Sequence, residues 1–139
     1  MRHFSPEEAN AELEQVRPLV EEMVARRRAH IAALEQQEAL EGRIRGNGGG
    51  IPPATLADAA AAVEREARSL ARAVDAIASH GAEVKDLDEG LIDFPALHHG
   101  ETVLLCWRLG EDEIRYWHRL EDGFAGRRPV EELNRPTSK

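Results

Sequence analysis

The sequence lacks a second cysteine, a basic excess and any long apolar run, and each absence removes a class of protein. Cys106 stands alone among 139 residues. A disulfide framework needs paired thiols, so this chain must hold itself together with a buried core, and a single thiol fits a reducing compartment. The formal net charge is -8 and the isoelectric point about 5.3. That balance argues against general nucleic-acid binding, whose footprint is a basic surface. No stretch approaches the roughly 20 apolar residues of a membrane span, and Met1-Arg2-His3-Phe4-Ser5-Pro6 runs into a charged pattern without an apolar signal core. The expected address is the cytoplasm. The expected organisation is a single domain over residues 1–133, with a polar, disordered tail at 134–139.

What is present begins with a helix signal. Ser5 can cap, Pro6 suits the first helical position, and Glu8 completes a capping box. Leu13, Val16, Val20, Met23, Ile31 and Leu34 then recur at helical spacing, with Arg27 and His30 interrupting the stripe. Pro18 kinks such a helix without ending it. One bent helix over 6–44 is predicted. Gly46-Asn47-Gly48-Gly49-Gly50-Ile51-Pro52-Pro53 breaks it. This glycine run follows a helix and lacks G-K-[ST], so it reads as a hairpin turn and not as a phosphate loop.

A second helix is predicted over 54–80. Leu56, Ala60, Val63, Ala67, Leu70, Val74 and Ile77 step by four and three, the seam of a coiled coil, and Gly81 supplies a stop. The economical partner for this seam is the first helix folded back. The two form a long antiparallel helical hairpin over 6–80.

Beyond Gly81 the period becomes alternating. Glu83 to Leu87 reads as an extended lead-in to a β-part over 83–130, and strands are predicted at 91–94, 102–109 and 113–120. The fold class is therefore α+β, a helical hairpin followed by a three-stranded antiparallel β-meander. Pairing Leu109 with Ile114 sets Trp107 opposite Tyr116 and Leu105 opposite His118. It also gathers Val103, Leu105, Trp107, Leu109, Ile114, Tyr116, His118 and Leu120 on one core face. Asp93, Cys106, Arg108, Arg115, Trp117 and Arg119 would then share the other face.

The order Gly90-Leu91-Ile92-Asp93-Phe94-Pro95, Leu105-Cys106-Trp107, Gly110-Glu111 through Ile114 to Trp117-His118, then Gly123-Phe124-Ala125-Gly126-Arg127-Arg128-Pro129 is distinctive. With Phe4-Ser5-Pro6-Glu7-Glu8-Ala9-Asn10 and Val84-Lys85-Asp86, it resembles an uncharacterised bacterial domain-of-unknown-function family, the 2203 family. The resemblance supplies no reaction, cofactor or ligand.

Function must therefore be argued from the residues. The leading expectation is a non-enzymatic interaction or scaffold module that forms a homodimer through its hairpin. The second is a metal-binding protein or small metalloenzyme. His98, His99, Asp93, Glu101 and Glu111 are its candidate ligands, and their donors suit zinc, manganese or iron. Cys106 and His118 offer donors too. The expected register puts them on opposite faces, so a Cys–His nucleophile is not expected and His118 reads as a buried structural histidine. No C-x-x-C or H-E-x-x-H spacing fixes a coordination geometry. A third reading is an anionic-ligand site formed by Arg108, Arg115 and Arg119 on the sheet, with Arg127 and Arg128 beyond it.

Overall fold

The computed structural model describes residues 2–47 and 50–133. The hairpin consists of α1 (Pro6–Asn47) and α2 (Pro53–Ser79). Five strands follow: β1 (Glu83–Asp86), β2 (Leu91–His98), β3 (Glu101–Arg108), β4 (Tyr116–Arg119) and β5 (Arg128–Pro129). They form one antiparallel sheet in sequential order. The α+β reading holds, but the sheet has five strands where three were expected. The extended lead-in is a paired strand, and the Arg128–Pro129 pair adds a short outer edge. The tail expected at 134–139 lies outside the described residues, as do two glycines of the hairpin turn.

The capping box forms as read. The Glu8 amide donates to Ser5 Oγ at 3.0 Å, and the Ser5 amide donates to Glu8 Oε1 at 2.8 Å. The helix then runs on through Pro18. Two cross-helix contacts fix how α2 returns along it. Glu12 meets His80 at 2.5 Å, and Arg26 meets Glu66 at 3.2 Å. The residue numbers of each pair total 92, as an antiparallel hairpin in constant register requires. Arg27, which breaks the apolar stripe, reaches Asp88 on the β1–β2 turn at 2.9 Å. Gly81 ends the hairpin at φ 89°, and a Cβ there would sit 2.8 Å from the Phe4 ring. Glycine is thus needed twice, for the turn and for the close approach.

The sheet corrects the expected register. β3 and β4 pair Cys106 with Tyr116, Leu105 with Trp117 and Leu104 with His118, one residue away from the predicted alignment. The cause lies in the 109–115 connection, which is not a tight hairpin. The Glu111 amide bonds the Arg108 carbonyl at 3.0 Å, and the Glu111 carboxylate accepts from the Arg108 amide at 2.8 Å. The Trp107 indole donates to the Glu111 carbonyl at 3.0 Å. Ile114 never pairs with Leu109. Its amide instead donates to Asn10 Oδ1 on α1 at 2.7 Å, and Asn10 Nδ2 donates to its carbonyl at 3.3 Å.

A one-residue slip exchanges the two faces of a strand. Trp117 therefore joins Ile92, Phe94, Val103, Leu105 and Trp107 against α1 and α2. Tyr116 and His118 move to the opposite face, and Leu120, expected in the core, is 60 % exposed. The opposite face is covered too, by the chain returning from β4 to β5. Arg127 stacks on the Tyr116 and Phe124 rings, 4.4 and 4.3 Å from their centroids, and holds Glu111 through two 2.7 Å hydrogen bonds. Beneath this cover Leu104 and Cys106 are buried outside the helix-side core.

Candidate metal centre

The slip has a chemical consequence. Asp93 lies directly across from Cys106 on β3, and His118 on β4 is the diagonal neighbour on the same face. One donor atom from each of the three lies within 4.8 Å of the other two. Among the described residues no other trio of histidine, cysteine and carboxylate side chains converges so closely. Asp93 and His118, 1 % and 4 % exposed, are also the buried polar or charged residues of the described chain. The sequence has 26 acidic residues and six histidines, and among the described residues these are the two it buries fully, so burying them side by side is costly unless something offsets it.

Each side chain is held in a defined way. His118 Nδ1 lies 2.8 Å from the Arg119 carbonyl oxygen. A carbonyl only accepts, so Nδ1 carries the hydrogen and Nε2 faces the cluster, 3.3 Å from Asp93 Oδ2. Asp93 Oδ1 is buried with no hydrogen-bond partner among the described residues. Burial pushes the Asp93 carboxyl above its ordinary pKa, against the opposing influence of His118, the Cys106 thiol and Lys85. Burial likewise pushes the Cys106 thiol up to about 12, and the charge of Asp93 adds to the rise. Such a thiol is no free nucleophile, since the reactive form is the thiolate.

The donor set suits a divalent transition ion. A thiolate and a carboxylate carry two negative charges, which one such ion neutralises, and an ion beside the sulfur removes its proton outright. The 3.3 Å between His118 Nε2 and Asp93 Oδ2 is close to the ligand–ligand edge of a tetrahedral ion with bonds of about 2.0 Å. A neutral imidazole whose other nitrogen donates to a carbonyl is the usual oriented histidine ligand.

The other candidate residues are dispersed. His98 stacks on His99 and Trp117, with ring centroids 4.1 and 4.9 Å apart. Burial, followed by the neighbouring His99 and Arg119, lowers its pKa. Glu101 lies 3.9 Å from Arg119, and Glu111 is taken by Arg127. Of the five ligands chosen from sequence, only Asp93 belongs to the buried cluster. The arginines are divided as well. Arg108 contacts Glu89 at 3.3 Å, Arg115 contacts Asp112 at 3.0 Å, and Arg119 sits on the face opposite Arg108. Arg128 lies over the Trp117 ring at 5.6 Å. The signal that could have located Cys106 and His118 is Trp117. Turning the largest apolar residue of β4 toward the core forces Tyr116 and His118 to the other side.

Fold and cluster together define an α+β protein, a helical hairpin backing a five-stranded sheet, with a buried Asp–Cys–His trio on the far face. The chain belongs to the family of uncharacterised conserved proteins designated DUF2203, whose model matches residues 2–130. No curated protein and no solved structure matches it. None of the described helices is long and apolar enough to cross a membrane.

Proposed function

We propose that this chain is a metal-binding protein whose centre is Asp93, Cys106 and His118. One observation carries the reading: three buried donors of different chemistry converge within 4.8 Å, and a carboxylate oxygen among them is buried without a partner. A purely structural cluster would leave that oxygen at a cost of about 1–3 kcal/mol or more. The mixed oxygen, nitrogen and sulfur set favours zinc or ferrous iron and, through the sulfur, moves preference away from manganese.

The test is metal content of protein purified without a tag, joined to cobalt(II) substitution. One ion per chain and a sulfur-to-cobalt charge-transfer band are expected. Zinc at a hundredfold excess over Kd should raise Tm by roughly 10 °C, because it binds only the folded state. Cys106→Ser should abolish the band, whereas the double variant His98→Ala/His99→Ala should keep it. Wild-type protein that takes up neither ion, with no melting response, refutes the centre.

A second reading concerns assembly, and the helices motivate it. The shared core takes α1 residues up to Val24 and α2 residues from Leu70 onward. The hairpin between them projects past the sheet, with Leu34 41 % exposed. We infer that two copies associate along this projecting half, around the exposed Leu34 of α1.

A further inference from the structure

A cavity of about 200 Å³ opens beside the trio, and its lining is uneven. Asp93 and His118 border it, whereas Cys106 does not. The thiol side of the cluster is therefore closed and the other side open. Lys85 borders the same cavity, and the remaining wall is largely apolar, formed by Leu91, Leu104, Leu120 and Phe124.

The placement of Lys85 follows from strand geometry. β1 pairs Val84 with Ile92 and Asp86 with Leu91, so Lys85 is the extra residue of a β-bulge. Glu83 pairs with Asp93, so alternation along β1 already sets Lys85 on the trio's face, where it borders the cavity. The bulge acts on the next residue, bringing Asp86, paired with Leu91, round to the same face. The Lys85 ammonium is 3.0 Å from the Glu83 carboxylate, and both side chains are well exposed. An exposed pair of this kind holds an ammonium weakly, so an incoming anion can compete for it.

We propose that this cavity binds a small aliphatic carboxylate, its head bridging the ion at Asp93–Cys106–His118 and the Lys85 ammonium, its chain lying against the leucines and Phe124. The proposal rests on the metal reading above. Three protein ligands leave a tetrahedral ion one position for an outside donor. A divalent ion, a carboxylate and a thiolate sum to zero, so Lys85 is the formal cation on the cavity wall, and a monoanion matches it by displacing Glu83. At about 200 Å³ the cavity lies below the usual range of pockets that enclose a drug-sized ligand, which fits a small molecule. The apolar wall favours a hydrocarbon body over a bare inorganic anion, since burying methylenes is favourable.

Cobalt(II)-substituted full-length protein tests both layers separately. Its charge-transfer band reports the centre, and changes in its d–d bands report an added ligand. Acetate, butyrate and hexanoate should each perturb the d–d bands, with affinity rising roughly tenfold per two methylenes. Lys85→Met should weaken all three at least tenfold while still forming the charge-transfer band. Leu120→Ser, at an exposed position that folding tolerates, should flatten the dependence on chain length. A charge-transfer band with d–d bands indifferent to every carboxylate overturns the cavity proposal and leaves the metal centre standing. Equal affinity for acetate and hexanoate overturns the apolar subsite, and unaltered binding in Lys85→Met overturns the bridging role. Failure to take up cobalt at all overturns both the cavity proposal and the centre.

Discussion

At the scale of the residue, Asn10 decides more than its size suggests. Its amide satisfies both backbone groups of Ile114, and that grip holds the β3–β4 connection against α1. Asn10→Ala would remove two hydrogen bonds to part-buried backbone and should cost about 1–3 kcal/mol, read as a lower urea midpoint. Gly90 is a second such position. Its φ is 70°, and a Cβ would stand 2.9 Å from both Leu109 and Val20. Gly90→Ala combines left-handed strain with overpacking and should cost about 2–4 kcal/mol; denaturation with an unchanged m-value would measure it. Neither position was legible as a constraint. An asparagine inside a helix and a glycine before a strand carry no periodic signal, and their partners lie far along the chain.

At the scale of the element, the helices were readable because their determinants are local. The Ser5–Glu8 capping box, the helical spacing and the glycine stop all act within a few residues, and both helices form where they were expected, although Ala60 of the expected seam is exposed and α2 buries Ala59 and Ala73 instead. The sheet was readable in kind but not in register. Leu109–Ile114 looked like a hairpin pair because both are apolar, whereas the connection is fixed by side chains reaching backbone from elsewhere. That single step misplaced His118, and with it the candidate centre. β5 was missed because two residues have no period, and Pro129 at an outer edge gave no cue beyond being tolerated there.

The cover over the far face hangs on Arg127 and Glu111, and this predicts an acid sensitivity. Burial raises the Glu111 carboxyl, but the Arg127 hydrogen bonds, the Arg108 amide and both guanidinium charges outweigh it and hold the pKa below its ordinary value. A carboxyl depressed in the folded state stabilises fully above its unfolded pKa. That contribution is lost as pH falls through the folded pKa. Wild-type stability should therefore decline below about pH 4.5, the ordinary range for glutamate, and Glu111→Gln should show a shallower decline. Denaturation midpoints for the two proteins across that range are the check; parallel curves would remove the pair from the acid response.

At the scale of the whole molecule, the sheet holds the buried trio beneath the Arg127 cover, while the hairpin extends beyond the shared core. At 1.5 Å per residue α1 is about 63 Å long, and the core that includes the sheet uses it only as far as Val24. Farther out, Leu40 and Ala59 are buried, and Leu34 is the large apolar side chain left in water. Leu70→Asp would be a poor probe of association, because Leu70 belongs to the core itself and its charge would unfold the chain. Leu34→Glu is the cleaner one. Its position is exposed within one chain, so monomer stability should change by no more than about 0.5 kcal/mol. A carboxylate at the centre of a two-copy seam faces its own symmetry mate or apolar surface, and both oppose pairing. Sedimentation velocity at high micromolar concentration should give a dimer for the wild type and a monomer for Leu34→Glu, with similar melting curves at low concentration. A wild-type monomer under those conditions would show that the projecting half of the hairpin does not pair with a copy of itself.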